Sequence, residues 1–306
     1  MTPDLGRQRW LYVFILLGLG LGWGLTQPLG KIATSTGHPP FGLLFWQTVV
    51  AVVVLGGMTF ARGKRLMLHR EAMQFYVIIA FLGTLIPNFS FYYSIARLPS
   101  GIMSILISTI PLIALPIGLF LGSEKVTLPR LAGLLFGLAG VLMIVLPQSS
   151  LPDRAMLGFL PIAMIGPLFY AIESTYVARK GLAGMDPLQA MFGASVVAML
   201  VCVPAMWATG QWMAMPLRPG PAEWALIMTS VMHALLYSSF IWLTAKTGAV
   251  FASQSSYIVT IMGIIMAMLI LGERFSPWVF AATVVMLCGI ALVRPRQTDR
   301  EIGQDC

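Results

Sequence analysis

Residues 98–125, LPSGIMSILISTIPLIALPIGLFLGSEK, and residues 247–274, TGAVFASQSSYIVTIMGIIMAMLILGER, decide the fold. Each is an uncharged apolar run that closes on a glutamate followed by a basic residue, Glu124-Lys125 in one and Glu273-Arg274 in the other. The two runs lie 149 positions apart, and the same offset aligns much of the remaining chain. Ser90-Phe91 falls on Ser239-Phe240, Ala96-Arg97 on Ala245-Lys246, and Ser104 on Ser253. Thr127 falls on Ser276, Gly140 on Gly289 and Lys31 on Lys180. Chance supplies apolar coincidences in such a sequence, but not an Ala-basic pair and a Glu-basic pair at one offset. The chain is an internal duplication.

The 306 residues are 58% apolar and 10% charged, with a mean hydropathy of +0.86. A soluble domain carries about 25% charged residues, and so few charges cannot cover this much apolar surface. A cytosolic enzyme, a nucleic-acid binder and a disordered regulator are excluded on that ground. The net charge of +8 does not mark a nucleic-acid partner, because the basic residues sit in short loops between apolar runs. Their partner is a lipid bilayer.

Ten stretches of 18 residues or more lack Asp, Glu, Lys and Arg: 10–30, 32–61, 72–96, 98–123, 131–152, 155–172, 187–217, 224–245, 247–272 and 275–293. That length suffices for a transmembrane helix. Period-two alternation is absent, so a β-barrel is not expected. Backbone groups in lipid must be satisfied within the segment, which leaves helices. The first run is too long for a signal-peptide core and no A-x-A site follows it, so it reads as a permanent helix. Cys202 and Cys288 fall inside runs and Cys306 is terminal, a pattern with neither disulfide nor metal spacing.

With the N-terminus in the cytoplasm, 14 of the 19 Lys and Arg face the cytoplasm and 5 the other side. The positive-inside rule therefore puts both termini in the cytoplasm, and the inner membrane is the expected location. Each repeat holds five spans, an odd number, so the second enters the bilayer from the opposite face. The expected fold is all-α integral membrane, with ten transmembrane helices as two inverted five-helix repeats at 10–147 and 155–295, and a cytoplasmic tail at 296–306. Inverted repeats are a signature of secondary transporters with a midplane site.

At this point the chain resembles the drug/metabolite transporter superfamily, EamA type, over nearly its full length. The resemblance rests on Gly22-Trp23-Gly24, on Pro111-Leu112-Ile113-Ala114-Leu115-Pro116 running to Gly122-Ser123-Glu124, and on Gly272-Glu273-Arg274-Phe275. It implies ten helices, two EamA repeats and a central cavity lined mainly by spans 3, 4, 8 and 9. Gln47 stands where many members carry a membrane arginine, and Thr260 stands at the place of Pro111 in the second repeat.

Polar residues in membrane helices point to sites. Span 3 offers Thr84, Asn88 and Tyr92 at helical spacing, and span 8 offers His233 and Tyr237. Span 4 offers Ser104, Ser108 and Pro111, and span 9 offers Ser253, Tyr257 and Thr260 with Gln254 and Ser256 beside them. The 149-residue offset pairs these stripes, consistent with one pseudo-symmetric cavity, to which the resemblance adds Trp23. The competing reading of each Ser or Thr is a bond back to the carbonyl one turn earlier, and of Asn88 or Gln254 interhelical glue. Glu173 is either paired with Arg179 or Lys180 at the interface, or a proton carrier or contact to a substrate ammonium. His233 is a hydrogen-bonded cavity histidine or a proton-coupling group, its ordinary titration lying nearest neutral pH. Glu124 and Glu273 follow span ends and precede the expected caps Thr127 and Ser276-Pro277, so they read as loop organisers. They would bond the next helix's amides or the adjacent Lys125 and Arg274. Gly18-x-x-x-Gly22 and Gly20-x-x-x-Gly24 allow close helix approach, and Pro28, Pro87, Pro111, Pro116, Pro161 and Pro167 are expected to kink or break spans.

These features favour a secondary transporter of a small metabolite, amino acids or related zwitterionic or neutral solutes foremost, exported by alternating access. A phosphate ligand would want paired Lys or Arg, and none is expected inside. Aromatic residues keep a multidrug exporter of lipophilic cations as the alternative. An intramembrane enzyme is remote: Gly193-Ala194-Ser195 lacks the closing glycine of a nucleophile elbow. His38, His69 and His233 form no metal motif. No cofactor or metal is expected, protons are a candidate partner, and a monomer or weak homo-oligomer suffices.

Overall fold

The computed structural model describes residues 3–122, 127–145 and 153–292. In chain order the helices are α1 (Pro3–Ala33), α2 (Pro40–Ala61), α3 (Arg70–Ile79), α4 (Ile86–Ile95), α5 (Ser100–Ile107), α6 (Ile110–Phe120) and α7 (Leu128–Val145). The second half holds α8 (Leu160–Lys180), α9 (Pro187–Thr209), α10 (Pro221–Thr247), α11 (Ala249–Ala252), α12 (Ser255–Leu271) and α13 (Pro277–Ala291). A π-helical segment, Ala80–Leu85, joins α3 to α4, and a 3₁₀ turn, Arg154–Phe159, precedes α8. There is no strand among the described residues.

Among the described residues, seven segments are long and apolar enough to cross a membrane: Trp10–Ala33, Pro40–Ala61, Arg70–Ile95, Ser100–Phe120, Ala155–Lys180, Pro187–Thr209 and Pro221–Thr247. Shorter apolar helices at α7, α12 and α13 occupy the other three of the ten expected runs. Large apolar side chains point outward along these helices, Phe120 at 92% exposure and Leu269 at 72%. Exposed Trp10, Trp207, Trp212 and Trp224 lie near helix ends, as at a membrane interface. The chain is a multi-pass membrane protein.

Two of the expected prolines interrupt a span. Pro87 has no N–H to give residue 83 and its ring crowds that carbonyl, and the π segment ends just before it. Pro111 opens α6 directly after the break at Ser108–Thr109. Pro161 sits in the first turn of α8, where a missing N–H costs nothing. Pro28, Pro116 and Pro167 lie inside helices that continue past them, so they do not break their spans. In the last long run the helix breaks without proline at Ser253–Gln254, which is why α12 is short.

Packing repeats on exchange of the two halves. α2 lies against α9, α7 against α13, and α5 against α12. α1 packs on α10 and α12, and its counterpart α8 packs on α4 and α6. α2 also meets α10, as α9 meets α3. Each half therefore buries its faces mainly on the other.

Glycine sets several of these approaches. A Cβ on Gly20 would stand 2.9 Å from the Ser255 carbonyl oxygen, and one on Gly24 would stand 3.2 Å from the Gly263 nitrogen. The Gly20–Gly24 pair is thus the α1–α12 seam. Gly22 instead faces Leu236 of α10, and nothing lies near Gly18, so Gly18-x-x-x-Gly22 is not one seam.

Loops fasten the α2–α9 pair at both ends. Asp186 caps α9, its Oδ1 accepting from the Gln189 amide at 3.0 Å, while Lys64 donates to Oδ2 at 2.6 Å. Gln189 Nε2 donates to the Arg65 carbonyl at 2.8 Å. At the opposite face, the Phe41 amide donates to Gln211 Oε1 at 3.1 Å and Trp46 Nε1 to the Met213 carbonyl at 2.9 Å. His38 Nε2 lies 2.7 Å from Glu223 Oε1.

Gly24→Leu is expected to lower the stability of the detergent-solubilised protein by about 1–3 kcal/mol, read by thermal unfolding, while Gly18→Leu leaves it unchanged. Equal effects would contradict the seam. Burial alone would raise the Asp186 carboxyl, but the Lys64 hydrogen bond, the Gln189 amide and nearby Arg62 outweigh it and hold it below the usual aspartate range. A carboxyl held low when folded contributes stability above its ordinary range and loses it as pH falls through the folded value. Asp186→Ala is therefore expected to cost about 1 kcal/mol at neutral pH, with the gap closing as pH falls through the lowered titration range of the carboxyl. A pH-independent gap would count against this pairing.

Candidate functional site

A cavity lies between α1, α2, α4, α5, α8, α10 and the α11–α12 break. Its empty volume, counted out to the mouth, is about 940 Å³. Trp23 (α1), Tyr92 (α4) and Phe240 (α10) form aromatic walls, and no Lys, Arg, Asp or Glu is among its described lining. The Trp23 ring lies 5.4 Å from Phe240, 6.3 Å from His233 and 6.5 Å from Tyr237. Spans 1, 2 and 6 thus join spans 3, 4, 8 and 9 around it.

Seven of the cavity candidates singled out in the sequence line this cavity: Trp23, Asn88, Tyr92, His233, Tyr237, Ser253 and Ser256. Asn88 Nδ2 donates to the Thr84 carbonyl at 2.9 Å, and its Oδ1 accepts from the Tyr170 hydroxyl at 3.5 Å. His233 Nε2 is buried and has no hydrogen-bond partner among the described residues. Its ring centroid lies 5.2 Å from that of Tyr237.

The other expected residues lie elsewhere. Thr84 is buried in the π segment, outside the lining. There the wider turn shifts the helical register, so the spacing Thr84, Asn88, Tyr92 is not one face. Ser108 Oγ donates to the Ile105 carbonyl at 2.6 Å. Thr260 Oγ1 donates to the Ser104 and Ser256 carbonyls, both at 2.9 Å, which binds α12 to α5. Tyr257 packs against a buried cluster that includes Ile95, Ile102 and Ile264, and Gln254 is half-buried outside the cavity. The breaks in spans 4 and 9 free carbonyls, and the Ser108 and Thr260 hydroxyls take them.

Glu173 does not sit at the interface with Arg179 or Lys180. It is wholly buried, and Oε1 accepts from the Tyr237 hydroxyl while Oε2 has no partner. Six residues of helix carry Arg179 to a different face, and seven place Lys180 about 10 Å further along the axis. Gly83 leaves the room: a Cβ there would strike both Tyr237 and the Glu173 carboxylate. Glu173 is one hydrogen bond behind the cavity wall, reached through Tyr237.

Glu273 is a loop organiser, but not of the next helix. Gly272, in the left-handed region at φ +65°, ends α12. Glu273 Oε1 then accepts from the Ser100 amide at 2.8 Å and its hydroxyl at 3.0 Å, and Oε2 from the Gly101 amide at 3.1 Å. It thereby caps α5, in the other repeat. Ser276 does not cap α13 through its side chain, whose Oγ is buried without a partner. Glu124 lies outside the described residues.

Further lining residues carry chemistry that the stripes omit. Gln27 donates from Nε2 to the Trp23 carbonyl at 3.4 Å, which leaves its Oε1 buried and unpartnered. Gln47, in α2, is 5% exposed and its Oε1 also lacks a partner. Tyr170 of α8 closes the wall beside Asn88. A carboxamide inside a membrane helix carries the same desolvation cost that singles out Asn88, and that signal finds Gln27 and Gln47. The arrangement can surround a small solute with aromatic faces and offer it neutral hydrogen-bonding groups.

Tyr237→Phe removes the partner of Glu173 and leaves a carboxyl buried without a bond. It is expected to destabilise the protein by about 1–3 kcal/mol in thermal unfolding, and Glu173→Gln added to it should recover part of the loss. Additive losses would contradict the pairing.

The sequence pattern of the EamA-like transporter family matches this chain twice, over residues 10–146 and 158–294. The uncharacterized transporter YoaV of Bacillus subtilis (strain 168) is 21% identical over 281 residues, which cover 90% of this chain and 94% of that protein. A solved crystal structure superposes with a TM-score of 0.62 at 16% identity, covering 92% of this chain and 94% of that one. That likeness bears on the fold alone.

Proposed function

This chain belongs to the EamA-like transporter family, and we propose that it exports a small zwitterionic or neutral metabolite, amino acids foremost, by alternating access. The two repeats at 10–147 and 155–295 are the halves that exchange roles. The charge bias of the loops supports an inner-membrane location with both termini and the 296–306 tail in the cytoplasm.

The observation that carries the substrate class is the set of unpartnered buried atoms lining one cavity: Gln27 Oε1, Gln47 Oε1 and His233 Nε2. Each costs free energy when empty and regains it when a ligand supplies the missing bond. They are uncharged, and no fixed cation stands beside them among the described lining. That suits an ammonium, an amide or a hydroxyl and leaves a phosphate without counter-charge. Trp23, Phe240 and Tyr237 supply apolar contact for a side chain. Substrate contact is assigned to Trp23, Gln27, Gln47, Asn88, Tyr92, His233, Tyr237 and Ser253. Glu173 stands behind Tyr237 as the candidate proton carrier. The same aromatic cluster favours a second reading, export of lipophilic cations held over ring faces.

Uptake of labelled amino acids into proteoliposomes, with and without an imposed pH gradient, tests this. Saturable uptake of a neutral amino acid is expected. His233→Ala and Glu173→Gln are each expected to lower its initial rate about tenfold, the loss equivalent to one hydrogen bond, and Ser253→Ala less. Equal activity of the three variants at matched expression would remove His233 and Glu173 from the mechanism. Uptake of lipophilic cations with none of any amino acid would select the second reading.

A further inference from the structure

Lys31, at the end of α1, donates from Nζ to the carbonyls of Ile95 at 2.7 Å, Ala96 at 3.3 Å and Leu98 at 2.9 Å. Just beyond, Glu273 holds the amides of Ser100 and Gly101. A cation thus sits on the C-terminal end of α4 and an anion on the N-terminal end of α5, the signs those helix dipoles favour. Together they tie the turn between spans 3 and 4 to α1 and to the α12–α13 junction. Arg97, within the turn, takes no part. It donates to the Tyr93 carbonyl at 2.6 Å and stacks 3.9 Å above the Tyr93 ring.

The duplication places Lys180 where Lys31 stands, and Thr244, Ala245 and Thr247 where Ile95, Ala96 and Leu98 stand. The helices agree with that register. α8 and α10 are spans 6 and 8 and run in the same direction, touching where Tyr237 donates to Glu173. Two turns further along each helix come Lys180 and Thr244, on nearly the same faces, since seven residues return to within about 20°. Yet Lys180 is exposed, and its ammonium has no hydrogen bond or ion pair among the described residues. Thr244 Oγ1 is buried and has no partner among the described residues. One end of the molecule is tied, and the equivalent end is untied with its receiving hydroxyl empty.

We propose that Lys31 and Lys180 are alternating latches of the transport cycle, an inference that rests on the alternating-access reading. In the conformation described, Lys31 and Glu273 close the turn at 95–101 while Lys180 is released. In the opposite conformation Lys180 reaches the Thr244, Ala245 and Thr247 carbonyls and the Thr244 hydroxyl, and Lys31 lets its carbonyls go. Both are positioning residues: they touch helix ends, and they set which face of the cavity is shut.

The test is a single reporter cysteine, Thr229→Cys in the cavity wall, in the full chain with Cys202, Cys288 and Cys306 replaced by alanine. Oriented membrane vesicles are labelled with an impermeant maleimide from the face bearing the 95–101 turn. Lys31→Met is expected to raise the labelling rate about threefold or more by shifting the population towards the opposite conformation. Lys31→Arg should restore it, and Glu273→Gln should also raise it if Lys31→Met does not assemble. Lys180→Met should lower the rate by a comparable factor. Opposite shifts are the signature of exchange, which a purely structural role would not give. Shifts of the same sign, or none, overturn the latch. Labelling needs no substrate, so that failure would leave the transport reading intact and be distinct from a failure of uptake.

Discussion

Within a bilayer, a backbone N–H or C=O with no partner costs several kcal/mol, and this constraint separates two groups of polar side chains. The helices break at Ala80–Leu85, at Ser108–Thr109 and at Ser253–Gln254, each walled by other helices. Around the breaks Asn88, Ser108, Thr109, Ser255, Ser256 and Thr260 donate to carbonyls within a turn or so. Their hydrogen-bonding capacity is largely used on the backbone. The second group comprises Gln27, Gln47 and His233, whose buried atoms are left over and line the cavity. Where such leftover atoms converge on one cavity, they mark the candidate site.

The large-scale fold was legible because lipid enforces it. A charge inside an apolar run is so costly that loops declare themselves, and the odd number of spans per repeat follows by counting. The interior was less legible. Stripes drawn at helical spacing assume an unbroken helix, which holds for His233 and Tyr237 in α10. It fails for Thr84, which lies in the π segment ahead of Pro87, and for Thr260, which follows the break in span 9. Spacing also says nothing about the neighbouring helix. Glu173 has basic residues close by in sequence, but its partner is Tyr237, brought by another span into the space that Gly83 leaves. Gln47 is visible in sequence only as a departure from a family pattern, and its meaning comes from having no partner.

Glu273 shows how a short motif can serve a distant element. Glycine, glutamate and a basic residue at a span end look like local punctuation. The left-handed turn at Gly272 instead swings the carboxylate beneath the first amides of α5, and the Phe275 ring lies against Gly101, where any larger residue would collide. A helix start buried among other helices needs acceptors for its free amides, and here the acceptor comes from the other half of the molecule. The duplicated halves are joined by backbone satisfaction as well as by apolar contact.

The exchange of partners between the repeats has a consequence for biogenesis. α2 packs on α9 and α7 on α13, so the first five spans enter the bilayer before the surfaces they are built to cover exist. Until ribosome and translocon deliver the second half, Gly20 and Gly24 face lipid tails instead of α12, and the start of α5 has no carboxylate. The interhelical packing of the first half is therefore completed only when the second half has been inserted.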